Sequence, residues 1–137
     1  MASNPTSNVT GKVRRDLTFR IPAGLAATTT YGIFRPLRPI RIKSLTGISE
    51  DAGTSPVFTM KLEASAAEDS NKDPGAYSDV TTATSIVANA YRRVTAVPAS
   101  TTASDIVAGS QLRLVMTRTS GTLGAFIVHV EYEEDLD

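Results

Sequence analysis

The chain predicts an all-β antiparallel sandwich, on three observations. Short segments alternate apolar and polar residues, Thr, Ser, Ala and Val dominate the composition, and turn signals separate the segments at two-sheet spacing. At 137 residues it fits one domain, and a chain of this size buries roughly two-thirds of its unfolded surface. With no cysteine, disulfides, thiolate metal sites and cysteine nucleophiles are excluded.

Residues 1–11 read as a flexible arm, polar apart from Val9 and punctuated by Pro5 and Gly11. The next ten give the clearest strand. Val13, Leu17, Phe19 and Ile21 share one parity, and Arg14, Asp16, Thr18 and Arg20 share the other. Successive strand side chains face opposite sides, so one face is buried and one is wet. Arg15 falls on the buried parity, which places it at a rim or against a partner. Pro22 and Gly24 bend the chain, Tyr31 to Phe34 is a short strand, and Pro36 and Pro39 close it. Residues 40–48 form a strand with Ile40 and Ile42 inward and Arg41 and Lys43 outward. Asp51, Gly53 and Pro56 make a turn. Over 57–64, Phe58, Met60 and Leu62 alternate with Thr59, Lys61 and Glu63.

Residues 65–79, SAAEDSNKDPGAYSD, read as a long surface loop. Residues 81–97 carry two periods. Ile86, Ala90, Val94 and Val97 recur at helical spacing, but Thr81, Thr82, Thr84, Val87, Thr95 and Val97 are β-branched. Two short strands with a turn near Asn89 are favoured, and a helix is the alternative. Pro98 to Ser104 is a loop, and residues 105–109 lead into a strand with Leu112, Leu114 and Met116 on one face. Thr119-Ser120-Gly121 turns the chain. The last strand, 123–132, sets Phe126, Val128, Val130 and Tyr132 inward and Ile127, His129 and Glu131 outward. That makes about eight strands without internal repeat: a jelly-roll-like domain over 12–133, with an arm at 1–11 and an acidic tail at 134–137.

Net charge is zero but segregated: +7 over residues 1–43, −5 over 44–90 and −2 over 91–137. Either pairing within the fold or complementary contact between copies would use that asymmetry. A neutral total makes a poor general nucleic-acid binder, and Lys12, Arg14 and Arg15 are too few for a basic arm. No stretch approaches a membrane span. The opening MASNPTSNVTG lacks the apolar run of an export signal, so none is expected.

Chemistry finds little purchase. His129 is the one histidine, and it reads as a surface residue beside Glu131. Glu68 with Asp69 and Glu133 to Asp135 match no calcium loop, no glycine run cradles phosphate, and no GxSxG elbow is present. The expectation is a protein that is not an enzyme, with no cofactor, metal or small-molecule substrate.

The opening KVRRDLTFRIPAGLAATTTYGIFRPLRPIRIKSLTGIS resembles small jelly-roll head decoration (cement) proteins of tailed bacteriophages. The matching pieces are Pro22-Ala23-Gly24, an Ala/Thr-rich stretch over 25–30, Ile33-Phe34-Arg35 and Ile40 to Ile48. Residues 104–118, SDIVAGSQLRLVMTR, resemble that group's strand entry, with Ser110 where Asp is common; Gly124 to Tyr132 resembles its terminal strand. The resemblance implies a virion structural protein on the capsid surface, assembled in the host cytoplasm. It implies a homotrimer binding the major capsid protein. Implied contact residues are Asn4, Asn8 and Val9 on the arm, Lys12, Arg14, Arg20, Arg41 and Lys43 on a basic face, and Arg92 and Arg93. The alternative is a carbohydrate- or receptor-binding module of a fibre or tail, with Tyr77 and Tyr91 as the available platforms.

Overall fold

The computed structural model describes residues 11–66, 76–86 and 91–136. Two antiparallel sheets face each other. The first holds β1 (Lys12–Ile21), β10 (Phe126–Asp135), β3 (Ile40–Ser49) and β7 (Arg93–Ala96) in that order, with β8 (Asp105–Ile106) also on β3. The second holds β2 (Thr29–Phe34), β9 (Leu112–Thr122), β4 (Thr54–Ser65) and β5 (Tyr77–Asp79), with β6 (Thr84–Ser85) also on β4. From β1 through β4 each strand crosses to the opposite sheet, and β9 to β10 crosses again. The segments β5 and β6 share one position on β4, as β7 and β8 do on β3. The ten segments therefore fill eight positions, in the order of a jelly roll.

The core is the inward parity of the long strands. Phe58, Met60 and Leu62 of β4 meet Leu112, Leu114 and Met116 of β9, and Phe126, Val128 and Val130 of β10 close from the other sheet, all buried. On β1 the expected parity holds: Ile21 is buried and Leu17 and Phe19 are half-buried, as suits a sheet edge. Gly47 on β3 lets the sheets approach here. A Cβ at that position would overlap the Phe126 ring and reach 3.0 Å from Met60 Cε.

Several boundaries differ from the sequence reading, each for a reason of pairing. In β3 the buried positions run Ile40, Ile42, then Leu45, Gly47 and Ser49. The phase changes because Lys43 is an extra residue: Tyr132 pairs with Ile42 while Glu131 pairs with Ser44. The expected turn at 51–56 is shortened, since β4 starts at Thr54 and accommodates Pro56 at a register shift. Residues 119–121 continue β9 rather than turning it, with Gly121 at φ 76 packed against the Ser55 carbonyl. Tyr77–Asp79, read as loop, pairs with Glu63–Ser65.

The expected loop at 98–104 contains one helical turn, α1 (Thr101–Ser104), capped by Ser100 Oγ accepting from the Ala103 N–H at 2.9 Å. Glu134 and Asp135, read as part of an acidic tail, belong to β10, and the Leu136 N–H donates to the Gly11 carbonyl. Within 81–97 the described residues form the two strands β6 and β7; the turn expected near Asn89 lies outside them, as do residues 1–10.

Gly47→Ala should lower stability by about 1–3 kcal/mol, the usual range for overpacking a filled core. Urea unfolding checks this. An unchanged midpoint would mean the Phe126 ring has room the packing denies it.

Candidate functional site

The outer face of the first sheet gathers most of the residues singled out in the sequence. Strand register sets them in rows. Arg14, Glu133, Arg41 and Asp105 lie side by side across four strands, so charge alternates along the row. Arg41 grips Asp105 with two bonds, at 2.6 and 3.2 Å, which holds its guanidinium above the usual arginine range. Arg14 bonds Glu131 and approaches Glu133 to 4.0 Å; Lys43 reaches the same Glu133 oxygen at 4.0 Å. Lys12 meets Asp135 at 3.3 Å, Arg15 meets Glu134 at 3.1 Å and Arg20 meets Glu50 at 2.7 Å.

These contacts pair cations of residues 1–43 mainly with carboxylates of residues 91–137, with Glu50 the partner from residues 44–90. Each exposed pair contributes at most about 1 kcal/mol. Together they turn the expected basic face at Lys12, Arg14, Arg20, Arg41 and Lys43 into a self-neutralised lattice. Arg15, placed on the buried parity by its position, sits at the rim with Glu134 as its partner.

The other end of this face is different. One row runs Arg20, Ile127, Ile48, Arg93, and the next runs Thr18, His129, Thr46, Thr95. Arg92 and Arg93 are exposed, and among the described residues their side chains have no bonding partner. Before them stands Tyr91, 79 % exposed and at φ 61, a left-handed conformation that a bulky residue rarely adopts. Its N–H donates to the Ser49 carbonyl. The sequence reading used Tyr91 only as a possible sugar platform; its neighbours in the string Tyr-Arg-Arg were the available signal. Asn4, Asn8 and Val9 lie outside the described residues.

The second sheet's outer face is tied to itself. Arg113 bonds Glu63 at 2.6 and 2.7 Å and lays its guanidinium 3.4 Å from the Tyr77 ring centroid. Arg113 thus covers one face of the half-buried Tyr77 ring. Lys61 sits between Asp79 at 2.8 Å and Glu63 at 3.0 Å, and these two bonds raise its pKa.

His129 is exposed, its Nδ1 3.0 Å from Thr18 Oγ1. Among the described residues no three His, Asp or Glu side chains are placed to hold a metal ion, and no helix is long and apolar enough to cross a membrane. A surface hollow of about 260 Å³ beside Lys12, Ile40, Arg41, Asp105 and Glu133 is walled by residues of the charge lattice.

Comparison with solved structures places the fold. A chain in the capsid of Ralstonia phage GP4 superposes with TM-score 0.60 at 16% identity, over 98% of this chain and 90% of that one. A chain of the cyanophage Pam1 capsid asymmetric unit gives 0.49 at 12% identity, over 98% and 93%. The CBM22-1 xylan-binding domain of Paenibacillus barcinonensis Xyn10C gives 0.44 at 12% identity, over 93% and 86%. No family model and no curated protein matches the sequence.

The resolved ionisations give a pH prediction. Lys61 is raised above its ordinary 10.5 by its carboxylate partners, and Tyr31 and Tyr132 are raised above 10.0 by burial. The unfolded chain therefore loses these protons first, and their contribution, complete below about pH 10, fades as pH rises through the folded values. The urea midpoint should hold from about pH 8 to about pH 10 and fall above it. Lys61→Met with Tyr132→Phe should flatten that fall; an equally steep fall in the double variant would contradict the assignment.

Proposed function

We propose that this chain is a virion structural protein, a capsid decoration or cement protein that binds neighbouring major capsid subunits as a homotrimer. The observation that carries the reading is the jelly-roll order of the sheets. It is shared over nearly the whole of both chains with a component of a phage capsid, at a TM-score of 0.60. The match in extent matters, because it leaves little of either chain outside the shared fold. The sequence resemblance to head decoration proteins points the same way. So does the absence of a converging catalytic group around His129 among the described residues.

The mechanism follows from linked weak contacts. The polar arm, residues 1–11, joins the domain at Gly11, whose carbonyl accepts from the Leu136 N–H. Laid on a neighbouring subunit it adds main-chain bonds there. Ordering it costs conformational entropy, which three copies joined in one trimer offset by binding three places at once. The protein then acts on the capsid surface after synthesis in the host cytoplasm, without cofactor or substrate.

Sedimentation equilibrium should return three times the 14.5-kDa chain mass. The trimer should pellet with undecorated capsid shells. Deleting residues 2–11 should weaken that attachment by at least about tenfold, the scale of losing a few good contacts in each copy. A monomer that stays in the supernatant would overturn the reading and leave the fold intact.

A further inference from the structure

The two ends of the first sheet's outer face differ in one respect that bears on binding. At the Arg14 end, the cations Lys12, Arg14, Arg15, Arg41 and Lys43 each have a carboxylate partner. At the β7 end, Arg92 and Arg93 are exposed and have no partner among the described residues, while Arg20 at the far end of the same row is taken by Glu50. Between Arg20 and Arg93 lie Ile127 and Ile48, half-buried side by side on the solvent side of the sheet. Tyr91 and Val97 flank β7 at 79 % and 62 % exposure. Tyr91 also holds a left-handed backbone that glycine would adopt without strain.

We propose that this β7 end is the docking surface, and that its occupant is an acidic segment of a partner polypeptide with an aliphatic residue seated on Ile48 and Ile127. Charge complementarity selects the occupant, since the two unmatched groups are both cations and both arginines. Tyrosine and arginine beside a small apolar strip is the composition of an interface centre. Two free cations neutralise at most two phosphates, too few for a nucleic-acid site. The partner being a capsid subunit rests on the function proposed above; the surface and the chemistry of its occupant do not.

Two measurements test this. In the first, the ¹⁵N-labelled protein is titrated with three probes: a synthetic peptide alternating Glu and Leu, the same peptide with Lys for Glu, and a single-stranded oligonucleotide. The acidic peptide should shift the amides of Tyr91, Arg92, Arg93, Ile48 and Ile127, and the other two should not. Shifts elsewhere, shifts equal for the Lys peptide, or equal shifts with the oligonucleotide overturn the proposal.

In the second, attachment to capsid shells is compared among variants. Arg92→Glu with Arg93→Glu should weaken it at least about tenfold, and so should Tyr91→Gly. Lys61→Met, on the outer face of the second sheet, should stay within about twofold of the parent. Tyr91→Gly should unfold at no lower urea concentration than the parent, because glycine relieves the left-handed strain, so its loss of attachment is not a loss of fold. Shell binding unchanged in both β7 variants overturns the proposal. A parent chain that ignores shells overturns the capsid reading alone, and the peptide titration then decides the surface by itself.

Discussion

The structure depends most on the antiparallel seating of β10 between β1 and β3. That one strand supplies both faces of the first sheet. Inward, Phe126, Val128, Val130 and Tyr132 complete the core. Outward, Glu131 and Glu133 sit among the cations of the strands on either side. Its pairing also joins residues at opposite ends of the chain, Lys12 to Asp135. The sandwich closes only when the last strand arrives, which puts the fold among those dominated by non-local pairing.

The same seating explains why the outer face is divided. Carboxylates occur on β10 and β8 at one end of the sheet and give way to Ile127 and His129 at the other. Cations on β1 and β3 at the first end therefore find partners within the chain. Among the described residues Arg92 and Arg93 do not, since β7 is the sheet's edge and the residue paired with Arg93 is Ile48 on β3. The division is a consequence of register, and it leaves a small amphipathic surface beside a charged, self-satisfied one. In the proposed docking role, the first surface would attract a partner and the second would resist indiscriminate association.

Much of the fold was legible in the sequence because alternation is a local signal. Val13 to Ile21, Phe58 to Leu62 and Phe126 to Tyr132 declare their buried faces residue by residue, and all three read correctly. What was missed depends on partners distant in the chain. Lys43 becomes an extra residue only because Tyr132 and Glu131 pair on either side of it. Tyr77–Asp79 is strand only because the end of β4 is there to receive it. The site was less legible than the fold. Pairing within the fold was one reading of the charge pattern, but the partners of Lys12, Arg14 and Arg41 were not legible because their carboxylates lie 64 to 123 residues away. Tyr91 gave no local sign of its backbone conformation, which the Ser49 carbonyl holds in place from the neighbouring strand.

Cryo-electron microscopy of capsid shells mixed with the purified protein would test the central claim most directly. The account predicts jelly-roll density on the outer surface of the shell, in threes, with the β7 end of the β1–β10–β3–β7 sheet turned toward acidic density of the subunit beneath. Bare shells, or copies attached through the β2–β9–β4–β5 sheet with Arg92 and Arg93 facing solvent, would contradict it.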